Sequence, residues 1–318
     1  MASHWMRRSL MAAACASAAL LAACGSSTVD SAISPDRLIA FGDALSDVGQ
    51  KGSAYTVNDG SVLNWTTQFA TYYGKAVTPV SQGGLSYAQG NARISDTPDA
   101  AGDASTPTIT AQIDSFLASG KTFTGNDFIL VNGGISDLIV GMMAVSAGTM
   151  TEADYVTNAR AWGVALAQQV RRIVQAGGTH VVLTGVYDLG KTPWGIAIGQ
   201  ETLLHNATQG FTDGLKVSLA DLGKNVQYMD LEYYVNNYVG SPGSYGFDNA
   251  TTAVCTSVDA GNGIGTGTGQ VNSALCTTAT LLPDASQDKY VFADNVYLTP
   301  WAQRQFGNYV HDRVSLQW

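Results

Sequence analysis

Phe41-Gly42-Asp43-Ala44-Leu45-Ser46-Asp47-Val48-Gly49 decides the reading of this chain. It follows the apolar run Arg37 to Phe41, which reads as a strand, and its Gly-Asp pair breaks that strand into a turn. Working outward, Phe128-Ile129-Leu130-Val131 is a fully apolar strand, and His180 to Thr184 and Val226 to Asp230 are two more. Thr151 to Gln175 reads as a helix, with Thr151 as N-cap, Glu152 and Asp154 in the first turn, and Gly177-Gly178 as the stop. Pro300 opens a last helix running toward the C-terminus. Alternation of this kind predicts a parallel sheet covered by helices on both faces, with ligands at the carboxyl ends of the strands.

The chain has 318 residues, 45% hydrophobic and 13% charged, enough for one large core. Arg7 and Arg8 precede the apolar run Met11 to Ala23, which is too short for a permanent span and reads as a secretory signal. Leu21-Ala22-Ala23-Cys24 is similar to the bacterial lipobox, in which cleavage leaves a lipid-modified cysteine. The expected organisation is a signal over 1–23, a tether over 24–35 and a single domain over 36–318. Export, anchoring through Cys24 to the outer membrane of a bacterial envelope, and a monomer are expected. The formal charge of −9 disfavours nucleic acid as a partner, and none is expected.

Of four cysteines, Cys15 falls in the signal and Cys24 in the lipobox, leaving Cys255 and Cys276. In an exported protein such a pair reads as a disulfide, because no nearby histidine or further thiol completes a zinc shell. The Gly- and Thr-rich stretch between them needs that staple. No metal and no cofactor are expected.

The opening block resembles that of the GDSL, or SGNH, ester hydrolases, which reads Phe-Gly-Asp-Ser-Leu-Ser-Asp. The resemblance implies a flavodoxin-like three-layer α/β/α fold with a parallel central sheet. Ala44 stands where the family has its serine nucleophile. Ser46 is matched by a serine in the family block too, and is expected to cap the following helix. Asn64-Trp65 is similar to the start of the helix after the nucleophile loop. Ser86 to Arg93 resembles the second block, and Gly90 matches the glycine whose amide helps hold the oxyanion. Asn132-Gly133-Gly134-Ile135-Ser136-Asp137 resembles the third, Gly-x-Asn-Asp, with Ser136 in place of the oxyanion asparagine. Loss of one such donor costs about 10²–10³ in rate. Gly125-Asn126-Asp127 is a decoy, placed before its strand.

Tyr187 to Pro193 and His205-Asn206 are similar to further family stretches that mark the fold, and Gly246 to Thr252 to the disulfide-bearing loop. The last block, Asp-x-x-His-Pro-Thr in the family, reads Asp294-Asn295-Val296-Tyr297-Leu298-Thr299. The aspartate stays and the base becomes Tyr297. His180 begins a strand, His205 lies within a helix and His311 on the last one, so none is placed to replace it.

A serine hydrolase needs an activated oxygen, a base and oxyanion donors. The resemblance therefore implies an exported family member with lost or much reduced ester hydrolysis, retaining a cleft for an acyl-ester or glycan ligand. Two alternatives stand beside it. One is an active esterase remodelled around Asp294, Ser136, Tyr297 or Asp43, and the other is a structural envelope lipoprotein. Tyr55, Trp65, Trp194, Tyr233 and Tyr234 are among the aromatics that suit sugar or acyl binding, core packing or surface.

Overall fold

A computed structural model describes residues 33–61, 64–261 and 267–318. The signal, the lipobox cysteine, most of the tether and the centre of the glycine-rich loop lie outside the described residues. Ile33 already packs on the core and Pro35 is buried, so the folded body takes in the end of the tether segment.

Four strands form a parallel sheet in the order β1 (Arg37–Phe41), β2 (Asp127–Val131), β3 (Val181–Thr184) and β4 (Val226–Met229). A fifth segment joins the outer edge of β1, where Ala40 N–H donates to Leu85 O at 3.1 Å and Tyr87 N–H donates to Ala40 O at 2.7 Å. Counting it second gives the flavodoxin-like order 2-1-3-4-5. Ser86 thus pairs with the edge of the sheet, bridging Ala40 and Pro79.

β2 is buried throughout because both faces of the sheet are covered. On one face Phe128 meets Phe69 of helix α1 (Trp65–Thr71) with ring centroids 5.4 Å apart. On the other, Ile129 shares the space above Gly178 with Ile173 of the long helix. Helices α2 (Ile109–Ala118), α3 (Ile135–Ser146), α4 (Glu152–Gln175), α5 (Pro193–Ile198), α6 (Glu201–Ser218), α7 (Leu231–Gly240) and α8 (Pro300–Ser315) complete the three layers. α4 packs on α6, and α1 packs on α8. Thr151 caps α4 by accepting from Asp154 N–H, and Gly177 at φ +102° ends it beyond its last turn. Among the described residues no helix is long and apolar enough to cross a membrane.

A small parallel pair, β5 (Asn249–Ala253) and β6 (Tyr290–Phe292), carries the last block. Beyond β6, Ala293 N–H donates to Tyr297 O at 2.8 Å, closing a tight turn that holds both Asp294 and Tyr297. Cys255 and Cys276 form the disulfide, with Cα atoms 5.9 Å apart.

At the far end of the sheet, Arg37 and the decoy's Asp127 face each other in register at the first residues of β1 and β2. Arg37 Nε–H donates to Asp127 Oδ1 at 2.8 Å. That pair sits opposite the end where the family's chemistry belongs.

Candidate active site

The turn after β1 is held from two sides. Gly42 exchanges hydrogen bonds with the Gln112 side chain of α2: its N–H donates at 2.8 Å and its carbonyl accepts at 2.9 Å. A Cβ on Gly42 would fall 1.9 Å from Asn132 Oδ1, so only glycine lets the end of β2 come this close. Asn132 Nδ2–H then donates to Asp43 Oδ1 at 2.5 Å. Asp43 is fully buried, its Oδ2 has no partner among the described residues, and burial pushes its carboxyl up to about 6.

Ala44 sits next to this carboxylate, 2% exposed. It has no oxygen to give an ester carbonyl. Ser46 does not cap a helix. Its Oγ accepts from Trp65 Nε1–H at 3.0 Å, while Asn64 caps α1 through a capping box with Thr67. Asn64 wins because it adjoins the first turn, whereas Ser46 lies well before it.

Gly90 also departs from expectation. Its N–H donates to Asp47 Oδ2 at 2.7 Å, and the Asp47 carboxylate also accepts from Gly49 and Gln50 N–H groups. The amide expected to hold an oxyanion is thus committed to a buried aspartate, which needs donors to remain inside. Above it, Tyr55 lies so close that a Cβ on Gly90 would meet the ring at 1.9 Å.

Ser136 opens α3 after Gly134, whose φ of +113° and proximity to the Phe211 ring admit no side chain. Ser136 is fully buried and its hydroxyl is unpaired among the described residues. The next residue, Asp137, takes Arg93 Nε–H at 3.2 Å and Ile94 N–H at 3.0 Å, so its carboxylate braces the second block against the third.

Asp294 Oδ1 accepts from Val296 and Tyr297 N–H groups at 2.8 and 2.6 Å, and Oδ2 from Ser273 N–H at 3.0 Å. Burial nevertheless pushes it up to about 6. The family's aspartate orients a base; here it fixes backbone. Tyr297 is wholly buried, its hydroxyl unpaired among the described residues and its phenol raised well above the usual 10, by burial first and then by the Asp43 charge. Its ring meets Tyr55 edge to face at 5.4 Å.

Where an open cleft was expected, Tyr55 lies over Gly90 and packs against Tyr297. A cavity of ≈ 590 Å³ lies to one side, lined by Met143, Ser146, Ala147, Trp194, Ala197, Ile198, Gln270 and Asn295. The aromatics divide: Trp65 and Tyr238 are core, Tyr72 and Tyr233 are exposed, Trp194 lines this cavity and Tyr55 plugs the centre. Asn132 and Tyr55 were not legible as site residues, since neither falls on a catalytic position of the family blocks.

A flavodoxin-like sheet, a Gly-Asp turn after its first strand and an aspartate beyond β6 together define an SGNH-type hydrolase scaffold. The family model for GDSL-like lipase/acylhydrolase matches residues 38–310, and the chain belongs to that family. A curated relative, an uncharacterized protein in the trpE-trpG intergenic region of Pseudomonas putida, is 23% identical over 307 residues, covering 88% of this chain and 49% of the relative. The chain thus spans about half the length of that relative. Among solved structures, Est24, a carbohydrate acetylesterase from Sinorhizobium meliloti, is 14% identical with a TM-score of 0.46, covering 89% of this chain and 99% of its own. The native aryl esterase of M. smegmatis is similar at 14%, with a TM-score of 0.44 and the same coverage.

Proposed function

We propose that this chain is a non-hydrolytic member of the family: an exported, monomeric lipoprotein, anchored through Cys24 to the outer membrane, that binds an acyl chain beside a closed centre. The observation that carries this reading is the burial of Ala44, Ser136 and Tyr297, with the Tyr297 ring packed against Tyr55. A substrate carbonyl has no nucleophile to meet, no base beside it and no path to the Gly90 amide. The remodelled-esterase reading asks Tyr297 to accept a proton, and a phenol raised well above 10 by burial is a poor base.

Support for the acyl ligand comes from the lining of the neighbouring cavity. Five of its side chains are apolar, and the amides of Gln270 and Asn295 bond to each other at 3.1 Å at its edge, a polar end for a carboxyl or ester head. The Cys255–Cys276 bridge favours an oxidising compartment, and with it the export reading.

A fluorescent medium-chain fatty acid, titrated onto the purified protein, tests the ligand. Binding is expected, weakened about ten-fold or more by Ile198→Glu, a loss of roughly 1.4 kcal/mol. Absence of binding, or binding equal in the variant, overturns the acyl assignment. Preference for a soluble oligosaccharide over the fatty acid overturns it in favour of a glycan.

A further inference from the structure

We infer that Asp188, His205 and Glu232 form a binding site for a divalent transition-metal ion, Zn²⁺ being the best fit to one imidazole and two carboxylates.

The three residues come from three elements at one end of the sheet. Asp188 lies in the connection after β3, His205 on α6, and Glu232 in the first turn of α7, directly after β4. Each offers one ligand atom, and the three atoms lie within 4.8 Å of one another. His205 Nδ1 and Asp188 Oδ2 are 2.8 Å apart. Tetrahedral ligands around zinc stand roughly 3.4 Å apart, so the widest separation closes by at most about 1.4 Å while the His205–Asp188 pair opens by about 0.6 Å.

Burial argues for a cation. Asp188 and Glu232 are 1% and 8% exposed, and neither carboxylate has an ion pair with a Lys or Arg among the described residues. Lys216 of α6 is paired with Asp230, and Lys191, three residues after Asp188, makes no ion pair with either carboxylate among the described residues. Two inward acids facing each other across a single imidazole make an electrostatic arrangement that a divalent ion completes.

The surroundings also orient the ligands. His205 and Gln209 are four residues apart and so share one face of α6, where Gln209 Nε2–H donates to Glu232 Oε1. Gly190 N–H donates to Asp188 Oδ1 at 3.0 Å, which leaves Oδ2 for His205 and the ion. These bonds set both carboxylates in place from behind, as supporting partners do around metal ligands. The side chain of His205 is 48% exposed and gives the ion its route in and a water its position. On binding, the cation takes Nδ1 and the imidazole carries its proton on Nε2, so the ring stays neutral.

The site joins α6, α7 and the β3 connection. It is separate from the buried centre around Ala44, and its test does not depend on whether the chain hydrolyses or binds acyl groups.

Protein stripped with EDTA is titrated with ZnCl2 by calorimetry, and its thermal unfolding is followed with and without the ion. One equivalent is expected to bind and to raise the Tm. His205→Ala and Glu232→Gln are each expected to weaken binding at least ten-fold and to remove most of the shift, whereas His180→Ala and His311→Ala retain both. His205 is half exposed, so its variant is expected to keep the native circular dichroism. A native protein without heat or Tm shift, or a His205→Ala protein that binds as tightly as the native one, overturns the site.

Discussion

The rings of Tyr55 and Tyr297 meet edge to face, centroids 5.4 Å apart, over the backbone where this family binds an ester. The base position does not simply lack a histidine. It holds a side chain that packs, and it packs against a residue with no counterpart among the catalytic blocks. The base position and the space above Gly90 are therefore coupled through the Tyr55 ring.

That coupling is measurable at Gly90. An Ala44→Ser, Ser136→Asn, Tyr297→His triple variant recovers the family's side chains but leaves Tyr55 over Gly90. It is expected to hydrolyse p-nitrophenyl esters weakly, and at least about ten-fold faster once Tyr55→Ala is added, a barrier difference of roughly 1.4 kcal/mol. Equal rates in the triple and quadruple variants show that Tyr55 does not occlude the centre.

Gly90→Ala alone places a methyl group against the Tyr55 ring and is expected to cost about 1–3 kcal/mol, the ordinary range for overpacking. In a Tyr55→Ala background the same change is expected to cost much less. Urea unfolding of the four proteins closes the double-mutant cycle, and additive costs contradict the contact.

Asp43 and Asp294 give a pH dependence of definite sign. Each is raised by burial from 3.8 to about 6, so the folded state holds a proton that the unfolded state has released between those values. Their contribution to stability is complete below about 3.8 and is lost as pH rises through about 6, up to roughly 3 kcal/mol per carboxyl. Urea midpoints between pH 4.5 and 8 are expected to fall with rising pH, and Asp43→Asn is expected to flatten part of that fall. A slope unchanged in Asp43→Asn contradicts the assignment.

Cutting the Cys255–Cys276 bridge frees a loop of 21 residues' separation and is expected to cost about 3 kcal/mol, the chain-entropy value for such a loop. The loss reaches the centre, because Ser273 N–H, three residues from Cys276, is one of the donors to Asp294. The paired Cys→Ala variant, compared with the oxidised native protein in urea, measures it.

Much of this was legible in the sequence because apolar runs and caps act locally. β1, β2 and the long helix follow from Arg37 to Phe41, Phe128 to Val131 and the Thr151 cap. Tyr55 was not legible, since its partners lie 35 and 242 residues away and nothing near it marks an inward side chain. Gly90 misled for a related reason. A glycine announces close approach, but whether an oxyanion or Asp47 approaches is decided by the third dimension. The edge pairing at Ser86 was equally hidden, because isolated bridges to Ala40 and Pro79 carry no period.

The most direct measurement is hydrolysis of short- and medium-chain p-nitrophenyl esters by the purified native protein beside its Asp294→Ala variant. Both are expected to match the buffer rate, since Ala44 offers no nucleophile and Tyr297 no base. Turnover by the native protein that Asp294→Ala abolishes would contradict a non-hydrolytic centre and require a catalytic arrangement other than the family's own.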